Sequence, residues 1–144
     1  AIVNGHFKLD REYKDISFLG LIGGTAQWLF VRGDVVSVTV SAASTLVEKS
    51  AETIARILWV EIVRALELSL ILTSNHLPPY RIVKEKRATF AQTPMQVKNR
   101  PGIRTSWSNL FLAGDWIDTG LPATIEGTIR SGSAASKTVL ISSH

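Results

Sequence analysis

The chain has 144 residues, 45% of them hydrophobic, and a net charge of +4 from 16 basic and 12 acidic side chains, which is room for one domain of ordinary size with a real core. The lack of cysteine excludes disulfides and thiolate chemistry, and His6, His76 and His144 show no ligand spacing, so no metal is expected. No run of about 18 uncharged apolar residues is present, which excludes a spanning helix.

The opening Ala1-Ile2-Val3-Asn4 is strand-like from its first residue and carries no start Met, secretory signal or transit peptide. The expectation is a chain that begins inside a larger protein, as a C-terminal piece. Ile2 to Leu9 alternates, with Val3, Phe7 and Leu9 on one side and Asn4, His6 and Lys8 on the other, the period of a half-buried strand. Asp10 to Asp15 is a polar connection. Phe18 to Ile22 is a second apolar run, broken by Gly23-Gly24; Ala26 to Val31 resumes as a strand, and Arg32-Gly33-Asp34 signals a tight hairpin returning through Val35 to Ala42.

Ser44 to Ser50 reads as a loop, with Ser50 placed to cap a helix whose first turn holds Glu52. Ile54, Ile57, Leu58, Ile62, Ala65 and Leu66 then share one helical face, with Arg56, Arg64 and Glu67 outside, and Trp59 is expected in the core. Leu66 to Leu72 is a short apolar tract, and Pro78-Pro79 forces a break after Asn75. Tyr80 to Phe90 reads as a strand with a charged face. The basic cluster of Lys84, Lys86 and Arg87, with Lys98 and Arg100 nearby, reads as a solvated face. Aromatic residues are not interleaved with it, so no nucleic-acid partner is expected. Ala91 to Ser108, with Pro94, Pro101 and Gly102, is an irregular connection of a length that suggests a crossing between subdomains. The fold expected is α+β, an antiparallel sheet of 3–5 strands with a packed helix over residues 1–90, a connection over 91–108, and a closing strand and helix over 109–144.

The closing stretch carries the chemistry. Leu110 to Ala113 is a short apolar strand, Gly114-Asp115 a turn, Gly120 and Pro122 a loop, and a helix opens near Ala123. A helix N-terminus has backbone N–H groups without partners and a partial positive charge, so a phosphate or electron-rich ring edge is stabilised there. Gly114 allows close backbone approach or a positive φ, Asp115 offers a carboxylate acceptor, and Pro122 presets φ where a missing N–H costs nothing. Gly127, Ser131, Gly132, Ala134 and Ala135 give the helix a face almost free of side chains. Composition and spacing alone favour an ordinary strand-turn-helix with a turn glycine and a tightly packed helix.

The full string Leu112-Ala113-Gly114-Asp115-Trp116, with Asp118-Thr119-Gly120-Leu121-Pro122-Ala123-Thr124-Ile125-Glu126-Gly127, closely resembles the C-terminal flavin-binding segment of the amine oxidase and phytoene desaturase superfamily. Within it the squalene-associated branch, the hydroxysqualene dehydroxylases of hopanoid synthesis, is the most similar. Gly23-Gly24-Thr25-Ala26-Gln27-Trp28, Val38-Thr39-Val40-Ser41-Ala42-Ala43 and Lys84 to Phe90 look like that branch too, so the resemblance spans nearly the whole chain. Departures are Ile117 and Thr128, where Thr and Ala are usual, and a longer apolar tract around Leu68 to Leu72.

The resemblance implies a fragment of an FAD-dependent oxidoreductase that converts hydroxysqualene to squalene. Residues 1–90 would be part of a substrate domain and 109–144 the end of an FAD-binding domain. Gly114, Asp115, Pro122, Ala123, Thr124, Ile125 and Glu126 would face FAD. The G-x-G-x-x-G turn that holds most of the dinucleotide in such enzymes is not in this chain, so FAD is expected only in the full-length parent. No catalytic residue is identified; His6, Gln27 and Trp28 are weak cavity candidates beside structural roles. Three other readings stay open: a related flavoenzyme such as a phytoene desaturase or amine oxidase, a non-catalytic binding or scaffold module, and a peripheral lipid-surface protein using Leu66 to Leu72 and the basic strand. A cytoplasmic location, or one at the inner-membrane surface, is expected, and so is a homodimer of the fragment formed through its C-terminal helix.

Overall fold

The alternation at the start of the chain becomes strand β1 (Ile2–Lys8), with Val3, Gly5 and Phe7 on the buried side. A computed structural model describes residues 1–13, 17–68 and 76–142, which divide into two compact units, Ala1–Ala88 and Thr89–His144. In the first unit β1 lies between β4 (Val35–Val40) and β5 (Tyr80–Glu85), and β2 (Phe18–Gly20) and β3 (Trp28–Arg32) extend the sheet in the order β2-β3-β4-β1-β5. Every pairing is antiparallel. The β3–β4 hairpin turns at Gly33-Asp34, with Gly33 at φ 59°, a conformation that side chains resist.

Helix α1 (Ala51–Ala65) starts where Ser50 accepts a hydrogen bond from the Thr53 amide at 3.1 Å. It buries Ile54, Leu58 and Ile62 completely, with Trp59 nearly so, against Val3, Phe7, Leu29, Val36 and Val38 of the sheet. Each such side chain taken from water contributes about 1.5–3 kcal/mol, which makes this face the main support of the unit. The close approach of helix to sheet depends on Gly5, where an added Cβ would lie 2.9 Å from the Phe7 ring and 3.0 Å from Leu58. A second tie is electrostatic: the Glu61 carboxylate accepts the amides of Thr25 and Ala26 at 2.8 and 2.7 Å, fixing the Gly23-Gly24 break onto α1.

The structure is the α+β arrangement expected, with differences at four places. The strand expected over Tyr80 to Phe90 ends at Glu85, because Ile2 is the last residue of β1 that can pair with it. The irregular connection over 91–108 contains a short helix, α2 (Pro94–Lys98), which Thr93 caps by accepting from the Gln96 amide. The strand expected at Leu110 to Ala113 is reduced to one antiparallel bridge, Arg104 to Phe111, with Leu112 N–H donating to the Ile103 carbonyl at 2.8 Å; among the described residues it has no longer strand beside it to complete a ladder. The last helix, α3, runs over Ile125–Ser142, two residues later than Ala123. Expectations for Lys14 to Ile16, for Ser69 to Asn75 with most of the apolar tract, and for His144 lie outside the described residues.

Candidate cofactor-binding site

The second unit is built around α3. Gly127, Ser131 and Ala135 form its buried face, together with the wholly buried Ile117. A Cβ on Gly127 would meet the Pro122 carbonyl at 3.1 Å, so the small residue lets the loop before the helix fold back against it. Three of the five small residues are therefore covered within their own unit, while Ala134 is half-buried and Gly132 exposed. Exposed apolar surface lies on the other side, at Ile125, Ile129 and Leu140.

Gly114 is held by the helix. Its N–H donates to Ser131 Oγ at 2.8 Å, and the Ser131 hydroxyl donates in turn to the Thr128 carbonyl at 2.8 Å. The glycine sits at φ 145°, and an added Cβ would lie 2.6 Å from Trp116 Nε1. Both facts demand glycine there.

The loop that follows is organised by Arg100. Its guanidinium donates to the carbonyls of Asp115 (2.8 Å), Trp116 (3.4 Å) and Leu121, and its Cζ lies over the Phe90 ring, 5.6 Å from the centroid. Asp118 Oδ1 accepts from Gly120 N–H at 3.1 Å, closing a local turn with Gly120 at φ 72°. At the start of α3 the Ala123 N–H donates to Gln92 Oε1 at 3.1 Å, and Thr124 Oγ1 caps the Gly127 N–H at 3.1 Å. Among the described residues the amides of Ile125 and Glu126 make no hydrogen bond. Glu126 pairs with Arg130 at 2.7 Å on the exposed surface, and Pro122 is also exposed. Gly114 and Asp115 are thus tied to the same small unit as Pro122 to Glu126, the set singled out in the sequence.

Arg100, Ser131 and Gln92 were not legible as site residues. In the sequence Arg100 reads as one more surface cation, because its partners are backbone carbonyls 15, 16 and 21 residues away, which leave no side-chain pattern. Ser131 counted only as a small residue.

The weak cavity candidates of the first unit have structural roles. His6 Nδ1 is 2.9 Å from Ser37 Oγ, its cross-strand neighbour. Gln27 spends both ends of its amide on the Ser41 backbone. Trp28 is half exposed and covers Gly20. None of them lines the pocket of about 580 Å³ in that unit, whose walls include Trp59, Leu68, His76 and Pro78, with Lys8, Asp10 and Arg11 also lining it. There the Tyr13 side chain, by hydrogen bonding first and by charge second, raises the Arg11 guanidinium above its ordinary value.

Residues 24–140 match the family model described as flavin containing amine oxidoreductase. The chain belongs to the flavin-containing amine oxidoreductase family. Among its relatives is the hydroxysqualene dehydroxylase of Rhodopseudomonas palustris, 48% identical over 140 residues, covering 97% of this chain and 32% of the relative. Those of Sinorhizobium fredii and Zymomonas mobilis are 44% and 41% identical, again over 97% of this chain and 32% and 33% of theirs. The chain therefore spans about a third of the length of the curated relatives it matches. The start of α3, where the Ile125 and Glu126 amides make no hydrogen bond among the described residues, is the part of this unit whose chemistry suits an electron-rich group.

Proposed function

We propose that the chain is the C-terminal portion of an FAD-dependent hydroxysqualene dehydroxylase, which converts hydroxysqualene to squalene in hopanoid synthesis. The observation that carries this reading is the Gly114 turn hooked to α3 through Ser131, in a chain whose relatives of that name align over 97% of it. FAD, when bound, supplies the two-electron chemistry of replacing a carbon–oxygen bond by a carbon–hydrogen bond with loss of water; a separate reductant must restore it. In this reading Gly114 and Asp115 lie along the ribityl or pyrophosphate part of FAD. Pro122, Ala123 and the amides of Thr124, Ile125 and Glu126 face its pyrimidine edge, where preorganised donors stabilise negative charge. Residues 1–90 contribute to a substrate domain, and the remainder closes the FAD-binding domain. The enzyme works in the cytoplasm or at the inner-membrane face, where an isoprenoid substrate would partition.

The test is expression of the full-length gene containing this chain. The expected result is a yellow protein that, with a reductant, forms squalene from hydroxysqualene. A colourless protein would overturn the flavoenzyme reading. A flavoprotein that turns over phytoene or an amine and leaves hydroxysqualene untouched would overturn the substrate alone.

A further inference from the structure

We propose that Arg100 is the positioning residue of the cofactor-facing loop. This rests on the FAD reading above for its purpose, but the geometry stands by itself. The segment from Asp115 to Leu121 has no regular hydrogen-bond ladder, and a chain of that kind samples many paths. One planar group fixes it at both ends: Arg100 donates to the carbonyls of Asp115 and Trp116 at its start and of Leu121 at its finish. Pro101, the next residue, adds a clamp in the middle by accepting the Asp118 N–H at 2.8 Å.

The consequence follows from the planarity of the peptide bond. With the Asp115 and Trp116 carbonyls turned towards the guanidinium, the N–H groups of Trp116 and Ile117 must point away from it. The Leu121 carbonyl precedes Pro122, which has no N–H at all, so Arg100 takes an acceptor whose peptide has no donor on its far side. Arg100 thereby sets which face of the loop presents donors, and it sets the spacing between the Gly114 turn and the start of α3. Among the described residues no carboxylate lies within ion-pairing distance of Arg100, so its charge adds to the pull on an anionic or electron-rich ligand. A lysine would not substitute, because a single ammonium cannot reproduce the fork or the stacking on Phe90.

Hydrogen exchange on this chain tests the geometry, with Arg100→Lys and Arg100→Ala beside the unchanged protein. The expected result is exchange of the Asp118, Gly120 and Leu121 amides, which bond the Pro101 carbonyl, Asp118 Oδ1 and Thr119 Oγ1 only while the loop is held, faster by about tenfold or more in both variants, with β1, β3 and β4 unchanged. Unchanged exchange at these three amides, or an equal rise everywhere, would overturn the positioning role. In the full-length flavoprotein the expected result is an FAD Kd raised about tenfold or more by either substitution. Guanidinium at a non-denaturing concentration should restore binding in Arg100→Ala, while methylammonium should not. A Kd within about twofold of the unchanged enzyme would overturn the role towards the cofactor. If the unchanged full-length protein takes up no FAD, the flavin reading falls and the exchange result alone decides the role of Arg100.

Discussion

The Ser131 hydroxyl accepts the Gly114 N–H at 2.8 Å while donating to Thr128 one helical turn back, so one buried side chain on α3 fixes the turn that precedes the helix by more than ten residues. Without that hydroxyl a backbone donor would be left in a half-buried position with no partner. Ser131→Ala should cost about 1–3 kcal/mol and loosen the Gly114 turn. Ser131→Ala measured by thermal unfolding and by exchange of the Gly114 amide checks this; an unshifted melting point with a still-protected amide would show the hook to be dispensable.

Gly114→Ala should be worse than its size suggests, because φ of 145° is strained for any side chain and the new methyl would meet the Trp116 indole at 2.6 Å. We expect a loss of at least about 1–3 kcal/mol. In the full-length protein both Gly114→Val and Asp115→Ala should lower flavin occupancy, read from the flavin-to-protein absorbance ratio. Asp115→Ala should leave the melting point of the protein nearly unchanged, since only the backbone carbonyl of Asp115 is engaged by Arg100.

Trp59 is buried and stacks on Phe7 at 5.6 Å, yet among the described residues its indole N–H has no hydrogen-bond partner. Trp59→Phe removes an unsatisfied donor and keeps an aromatic ring, so it should cost less than about 1.5 kcal/mol, whereas Trp59→Ala should cost about 3–5 kcal/mol. Denaturant titration of the two variants separates the outcomes, and equal losses would contradict the idea that packing alone accounts for this residue.

Glu61→Ala frees the amides of Thr25 and Ala26 together and should destabilise the first unit by about 1.5–3 kcal/mol, the range for hydrogen bonds to a charged group. Glu61→Gln, which keeps one acceptor oxygen, should lose less. Gly24→Ala belongs to the same contact, since its Cβ would come within 2.6 Å of Glu61 Oε2, and it should resemble Glu61→Ala. Chemical denaturation ranks all three, and a Gly24→Ala protein as stable as the original would argue against the contact.

Self-association through α3 remains a proposal for this chain, now assigned to the side opposite its small residues. Ile125, Ile129 and Leu140 are 82%, 60% and 66% exposed, an apolar surface that a second copy of the chain could cover. Light scattering over a dilution series should show a dimer, and Ile129→Glu with Leu140→Lys should shift it to monomer. A monomer for the unchanged chain at micromolar concentration would end this reading.

What the sequence determined by itself was whatever repeats or punctuates locally. The period of two in β1, the helical face of α1 and its Ser50 cap, the Gly33-Asp34 hairpin and the break at Pro78-Pro79 are each written in residues next to one another. The motif from Gly114 to Gly127 was equally local, and it carried the family. Only the tertiary structure decided the rest, because backbone carbonyls leave no trace in side-chain identity. It assigned Arg100 to the Asp115 to Leu121 loop, joined Ser131 to Gly114, and turned Gly127, Ser131 and Ala135 of α3 inward. It also ended β5 at Glu85 and left Leu110 to Ala113 with a single bridge, since a strand exists only as far as its neighbour runs.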